Sequence, residues 1–530
     1  MREPGAASAG PGEYPEAHLA RRAVVYNRYW KSKGGGERHS GKLAEVLAAD
    51  GWQVDLLGHY GVTRDELADH LGLDLSATTF RAVPDRGDRD IERISAEYDL
   101  FVNATHLSRV RPRAAHNVYL CYFPTPTDFD LAPWRRALLR TVAPYVARGF
   151  AGHIEHGTGW FPPEGGLRRS WAWTQGDAVI SLPPGHHRHL TMDLGRPGGP
   201  PVDLSVRDET GAELVGVAVT EAFRTHDFDF GTAEHGSELH LVSDTFSPGP
   251  HDARQLGVAV SRLRLGGEGE NWRTRLVFRM PWLLRDPKDL SFLDSYQCVL
   301  ANSEFTRGWI KRLWRRDSAV LFPPIQIGDI APSPTRTRTV VTVGRFFRPG
   351  TGHAKRQLEM VQMFGTLRSR LPCWTLHVVG GVEPAHVPYL REVEAAAAGL
   401  PVVIHPNAPR AEVERLLDEA SIFWSATGLG ESEEKAPWNQ EHFGMTTVEA
   451  MAGGCVPVVI DRAGQREIVR DGVDGFRWAT REQWADRTVR VATDDALRAR
   501  LAASAVDRAT AFSEEAFAKR WREIASELGL

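Results

Sequence analysis

Short apolar runs, set between glycine-rich and polar stretches, dominate the N-terminal quarter of the chain. Ala23 to Tyr26 (AVVY), Val54 to Gly58 (VDLLG), Asp99 to Thr105 (DLFVNAT) and Asn117 to Phe123 (NVYLCYF) each read as a buried strand. Between the first two, HSGKLAEVLAADG places Leu43, Val46 and Leu47 at helical spacing and predicts a helix that Gly51 ends. Apolar strands alternating with helices predict βα units around a parallel sheet. From Trp171 to about Gly267 the period drops to two, and Gly/Pro turns punctuate short strands. WAWTQGDAVISLPPG and VDLSVRDETGAELVGVAV are examples, and the segment predicts an all-β sandwich.

The α/β texture resumes at SYQCVLANSEFTRGWIKRLW, so the sandwich is an insertion into the first α/β unit. The proline-bearing LFPPIQIGDIAPSPTRTR reads as a linker to a second run of βα units. Strands are expected there at Thr339 to Val343, Thr375 to Val379, Val402 to His405, Ile422 to Ser425 and Val456 to Ile460. FSEEAFAKRWREIASELG closes as an amphipathic helix with Ser513 as N-cap. The expected division is a disordered tail over 1–20, a first Rossmann-like domain over 21–165 and 269–330, and the sandwich over 166–268. A second Rossmann-like domain follows over 331–511, with a last helix over 512–530 that crosses back to the first domain.

A length of 530 residues fits several domains, and 42% hydrophobic with 25% charged residues fits a globular chain. The formal net charge of -4 leaves no basic excess for a phosphate backbone, which argues against a nucleic-acid binder. No apolar run is long enough to span a bilayer, and the N-terminus has no apolar core of a secretory signal. Cys121, Cys298, Cys373 and Cys455 are far apart and form no metal-binding or disulfide pattern. The expected location is the cytoplasm.

The candidate chemistry concentrates in EHFGMTTVEAMAGGCVPVVIDRAGQREIV. Gly444 permits close backbone approach, and a helix starting near Met445 presents free N–H groups that suit a phosphate. Glu449 falls about one turn inside that helix, where a carboxylate accepts hydrogen bonds from a sugar diol. Glu441 precedes it, closer to a reacting centre. In TVGRFFRPGTGHAKRQLEMVQMF, Arg345 and Lys355 are two fixed cations suited to a departing diphosphate. A glycine run, Gly34 to Gly36 with Glu37, follows the first strand. His106 follows the third of the strands named first, at the strand end where open α/β sheets bind ligands.

These segments resemble the donor-site signatures of the retaining GT-B glycosyltransferases, in particular the large family 4 and its mannosyltransferase-like branch. The spacing of Glu441 and Glu449, the FG pair and EAMAGGCVPVV carry the likeness, and Arg345 and Lys355 stand at its diphosphate-holding positions. ANSEFTRGWI and LFPPI resemble the segment before the interdomain linker. The resemblance covers most of the chain except the tail and the β insertion. It implies two Rossmann-like domains facing a cleft, and transfer of a hexose from a GDP- or UDP-linked sugar. The acceptor is a hydroxyl of a glycan, a lipid-linked glycan or a small molecule, with peripheral membrane contact in the lipid case. Glu441, Arg345, Lys355 and His106 are the expected catalytic residues. Gly35, Gly36, Gly380, Phe443, Gly444, Met445, Thr446 and Glu449 are the expected donor contacts. No cofactor or metal is expected beyond the nucleotide sugar as co-substrate. Tyr122 in CYFP departs from the family, where a histidine often precedes an aromatic–Pro pair.

Other motifs read as structural. Asp88-Arg89-Asp90 and Asp128-Phe129-Asp130 fit a DxD pattern without its strand-end context. His186, His187 and His189 sit together in a Pro/Gly turn of the β insertion that could capture a metal incidentally, His153 and His156 are similarly weak, and Trp171 with Trp173 reads as sandwich core or edge. The competing functional readings are a nucleotide-sugar epimerase and a non-catalytic scaffold that binds glycans through the sandwich.

Overall fold

The computed structural model describes residues 21–83, 88–126, 134–139, 141, 155–161, 164–165, 170–182, 189–229, 238–248, 254–265, 290–327, 336–349 and 354–530. The tail over 1–20, Asp128 to Asp130, His153, His186 and His187 lie outside them.

The first domain is built on β1 (Arg22–Tyr26), β2 (Gln53–His59), β3 (Thr78–Val83), β4 (Leu100–Asn103) and β5 (His116–Cys121). After the insertion, β16 (Cys298–Ala301) and β17 (Ala319–Val320) join the same sheet. Its order is β3-β2-β1-β4-β5-β16-β17, and all pairings are parallel. Helices α1 (Gly35–Ala49), α2 (Arg64–Leu71), α3 (Asp88–Ser95) and α4 (Glu304–Trp314) flank it. Asp88 and Asp90 stand in the first turn of α3, where acidic residues suit the helix dipole.

The insertion contributes β6 (Glu155–His156), β7 (Glu164–Gly165), β8 (Ser170–Trp173), β9 (Asp177–Ser181) and β10 (His189–Gly195). It continues with β11 (Val202–Asp208), β12 (Glu213–Val219), β13 (Arg224–Asp229), β14 (Glu238–Val242) and β15 (Ala259–Leu265). Two five-stranded sheets result, β13-β10-β15-β8-β7 and β12-β11-β14-β9-β6. The period-two pattern explains the packing: Leu190, Met192 and Leu194 of one sheet meet Leu204, Val206, Leu239 and Leu241 of the other in one core. Trp173 is buried against Phe246, and Trp171 is half-buried against Phe223. Both tryptophans therefore serve packing. Strands β6 and β7 lie ahead of residue 166, so the inserted sheets begin at Glu155.

The second domain carries β18 (Thr337–Val343), β19 (Thr375–Gly380), β20 (Val402–Pro406), β21 (Ala420–Ser425), β22 (Val456–Ile460) and β23 (Phe476–Trp478). Its all-parallel order is β20-β19-β18-β21-β22-β23. Helices α5 (Gln357–Leu367), α6 (Val387–Ala397), α7 (Arg410–Glu419), α8 (Met445–Ala452), α9 (Gln465–Ile468), α10 (Arg481–Thr493) and α11 (Asp495–Ala509) complete it. Both faces of this sheet are buried. Val340, Leu376, Trp424 and Val458 pack under α5 and α6, while Val341, Phe423 and Val459 pack under α7, α8 and α11. Continuous apolar strands are the sequence signature of such two-sided burial.

Helix α12 (Glu514–Glu527) returns to the first domain. Ser513 caps it, accepting from Ala516 N–H at 3.1 Å. Phe517, Trp521 and Ile524, spaced along one helical stripe, sit in the first domain's core with Leu43 and Leu47. Lys42 and Arg38 of α1 both pair with Glu514. The chain thus has the GT-B arrangement of two Rossmann-like domains, with a β-sandwich inserted between β5 and β16.

Candidate active site

Both sheets are parallel, so their C-terminal edges carry the loops that face the cleft. Five of those loops supply the expected residues.

Strand β18 runs into Gly344 and Arg345. The backbone here is crowded: a Cβ on Gly380, at the end of β19, would lie 2.0 Å from the Gly344 carbonyl oxygen. Gly380 is therefore required for strand-end packing. Gln357 Nε2 donates to the carbonyls of Gly344 and Arg345 at 2.9 and 3.0 Å and fixes this turn. The exposed Arg345 guanidinium lies over the Phe347 ring at 5.1 Å and has no carboxylate partner among the described residues. Lys355 folds back over Gly344 and donates from Nζ to Glu441 Oε2 at 2.5 Å. Its neighbour Arg356 is spoken for by Glu359 and Glu431, at 3.1 and 2.7 Å. Lys355 is thus the cation of the KR pair that reaches Glu441.

Thr427, after β21, also donates to Glu441 Oε2, at 3.3 Å. The chain then turns at Gly444, whose φ of 119 lies in the range that favours glycine. A Cβ there would meet Gln465 Nε2 at 2.8 Å. Helix α8 starts at Met445 with no side-chain cap, and Thr446 stands in its first turn. An uncapped start of this kind holds partial positive charge. The Phe443 side chain points away, buried against Phe322 and Phe512, so only its backbone is offered to a ligand. Glu449, one turn into α8, is buried and accepts from Arg410 of α7 at 3.1 Å. Burial pulls the Arg410 guanidinium down, but Glu449 and Glu414 outweigh it and hold its pKa above the ordinary value.

The first domain brings its glycine turn to the same place. A Cβ on Gly35 would lie 2.8 Å from Met445 Sδ. Tyr122 donates from its hydroxyl to the Gly36 carbonyl at 2.6 Å, so the tyrosine in the departing position fastens the glycine loop. Glu37 completes the turn, accepting from Gly34 N–H and the Ser32 hydroxyl, both at 2.7 Å. His39 of α1 is fully buried beside Tyr122 and Phe517, and burial pushes its pKa down to about 3, so it is neutral. His106 lies in the turn after β4, on the same sheet edge as the glycine loop.

Sequence reasoning passed over three cleft contacts. His442 stacks on Phe123, with centroids 4.1 Å apart and rings within 9° of parallel. Phe305 of α4 lies beside both rings. Glu467 of α9 accepts from the backbone N–H groups of Glu304 and Phe305, at 2.7 and 2.6 Å, and so caps a helix of the other domain. Burial raises its carboxyl pKa to about 7. The third is the Arg410–Glu449 pair. Its only trace in the sequence is an arginine in HPNAPRAEVERLLDEA.

The described residues hold no cluster of three or more His, Cys, Asp or Glu suited to a metal ion. His189, exposed at the start of β10, lies beside Asp229 at 3.8 Å.

Comparison with known proteins meets this geometry in the second domain. Residues 328–508 match the family described as Glycosyl transferases group 1. The chain is 38% identical over 90 residues to a D-inositol 3-phosphate glycosyltransferase of a Nocardioides species, covering 17% of this chain and 20% of that one. It is 32% identical over 167 residues to a protein of the same name from Frankia alni, covering 30% and 38%. The chain thus spans between a fifth and two fifths of the length of these curated relatives. Among solved structures, Anabaena Alr3699/HepE in complex with UDP and glucose superposes with a TM-score of 0.51 at 12% identity, over 96% of this chain and 100% of that one. This last likeness is one of fold. The chain has the GT-B fold, and within it residues 328–508 are similar to the glycosyl transferases group 1 family.

Proposed function

We propose that the protein is a retaining, metal-independent glycosyltransferase of the family 4 kind. It moves a hexose from a nucleotide-diphosphate sugar to an acceptor hydroxyl. The observation that supports this best is the meeting of Lys355, Glu441 and the uncapped start of α8 at one point of the cleft. Lys355 and Arg345 receive the diphosphate, with the Met445 and Thr446 N–H groups beside them. Glu441, freed from Lys355, faces the sugar ring. Glu449, oriented by Arg410, accepts from the ribose hydroxyls. The C1–O bond breaks with its electron pair leaving on the diphosphate, where the cations stabilise the growing charge. The acceptor oxygen attacks from the same face, and its proton passes to the departing phosphate oxygen. His106 and the Gly35–Gly36 loop close the site from the first domain.

The Anabaena structure contains UDP and glucose, and the curated relatives are named for an inositol phosphate. These motivate UDP-hexoses as donors and small hydroxylated molecules as acceptors, while GDP-hexoses and glycan or lipid-linked acceptors follow from the resemblance of the donor-site signatures. No helix among the described residues is long and apolar enough to cross a membrane. The proposal places the protein in the cytoplasm, with peripheral membrane contact where the acceptor is lipid-linked.

The test is a panel of UDP- and GDP-sugars, read by thermal stabilisation and by release of nucleoside diphosphate in excess chelator. One donor stabilises the protein and turns over with chelator present, and NMR of the product shows the donor's anomeric configuration. Inverted product, or turnover that returns only with Mg2+ or Mn2+, overturns the corresponding part of the reading.

A further inference from the structure

The stack of His442 on Phe123 joins the two domains at the residue next to Glu441. His442 comes from the second domain, and Phe123 follows β5 of the first. Phe123 is buried, and its other neighbours, Phe305 and Trp309, belong to α4 of the first domain. The His442 ring therefore docks on an aromatic wall that the first domain supplies.

The same wall is gripped a second time. Glu467 holds the Glu304 and Phe305 N–H groups, and so fixes the start of the helix that carries Phe305. The two grips share one piece of backbone. Gly464 N–H donates to the Glu441 carbonyl at 2.9 Å. A Cβ on Gly464 would lie 2.5 Å from the Phe443 oxygen and 2.6 Å from the His442 oxygen. The segment with Glu441 and His442 thus lies directly on the turn that leads to Glu467. Separation of the domains takes the wall away from His442, and the backbone that aims Glu441 loses its lateral support.

We propose that His442 is a positioning residue: through its stack on Phe123 it couples closure of the domains to the placement of Glu441. The inference rests on the transferase reading for its kinetic consequence and on geometry alone for its structural one. His442 Nε2 also meets the Pro437 carbonyl at 3.3 Å, a contact within the second domain, whereas the contact with the first domain is made by the flat face, which a phenylalanine keeps.

The experiment takes the full chain and compares His442→Ala, His442→Phe, Phe123→Ala and the His442→Ala/Phe123→Ala double variant. A coupled aromatic pair of this kind corresponds to about a tenfold effect. The expected result is a roughly tenfold loss of kcat in each alanine variant with donor KM little changed. The double variant is no worse than either single one, and His442→Phe keeps wild-type kcat and pH profile. Small-angle scattering on the same unliganded proteins reads closure without turnover: the alanine variants expand, and His442→Phe does not. A wild type that turns over no nucleotide sugar, while scattering behaves as stated, counts against the transferase reading and leaves the closure stack standing. Unchanged scattering in the alanine variants overturns the inference. So does a His442→Phe variant as slow as His442→Ala with one limb of its pH profile lost, because the ring then carries a proton.

Discussion

Helices α1 and α8 start at glycines on opposite walls of the cleft, close enough that a methyl group on Gly35 would touch Met445, yet their first turns are finished differently. In α1 a carboxylate already lies at the start: Glu37 accepts from the Gly34 N–H, the Ser32 hydroxyl and the Asn27 side-chain amide. In α8 no side chain caps the start, and Lys355 stands near it on Glu441. A helix start already occupied by a carboxylate repels an anion, and an open one beside a cation attracts it. On the proposed reading, the contrast gives a physical reason for the diphosphate to lie on the second domain and for the first to contribute a close-fitting lid of backbone.

The comparison breaks most visibly if the charge on the α8 side is removed. Lys355→Met is expected to weaken nucleoside diphosphate binding by one to two decades, since a charge-assisted hydrogen bond is worth about 1.5 to 3 kcal/mol. Isothermal titration with UDP and GDP measures it, and unchanged affinity would place the phosphates elsewhere.

The two glutamates on that side separate next. Glu441→Gln should lower kcat by about ten- to a hundredfold, because its interaction strengthens as the sugar becomes oxocarbenium-like. Glu449→Gln should mainly raise donor KM, and steady-state kinetics on both variants distinguishes the roles. The reverse split would exchange them.

The glycines test the backbone half of the contrast. Gly444→Ala forces a side chain into positive φ and against Gln465, at a cost of about 1 to 3 kcal/mol, seen as a drop in Tm. Gly35→Ala meets only the flexible end of Met445 and should leave Tm almost unchanged while slowing turnover.

A smaller effect concerns Glu467, which links the walls. Burial raises its pKa from 4.5 to about 7, so the folded state holds the proton more tightly than the unfolded one. Stability from this group is therefore fully present below pH 4.5 and is lost as pH rises towards 7. Glu467→Gln should flatten the Tm profile across that window, and a profile of unchanged slope refutes the assignment.

The smallest effect is expected from the sandwich. Replacing residues 155–265 with a short linker should leave nucleotide affinity intact, because none of its described strands joins either parallel sheet. A folded deletion variant that no longer binds nucleotide would show the insertion to be part of the donor site.

Much of this was legible in the sequence because it is local. Val456 to Ile460 is apolar at every position and is bounded by Gly453-Gly454-Cys455 and by Asp461, so its strand limits can be read directly. Ser513 before an amphipathic stripe announced α12 and the face it buries. Glu441, Lys355 and Glu449 were legible as a spacing. The contacts that qualify them were not, because each joins distant residues whose types alone are ordinary. Arg410 meets Glu449, His442 meets Phe123, and Glu467 meets the start of α4 only after folding. Strands β6 and β7 span two residues each, too few for any periodicity to register. Phe443 was half legible for a different reason: it sits in the signature, but its ring is buried against Phe322 and Phe512, which leaves its backbone to face a ligand.

The return of α12 has a consequence for the order in which the protein becomes whole. Asp50 and Arg522 pair across 472 positions, and Phe517, Trp521 and Ile524 fill the core under β1 and β2. Of the two α/β domains, the one synthesised earlier is thus the one that finishes later. Strand β5 waits for the entire sandwich before β16 arrives beside it, and the core waits for the final helix. During synthesis the second domain can complete its sheet while the first still exposes the apolar face that α12 will cover. That interval is when the nascent chain is most open to aggregation.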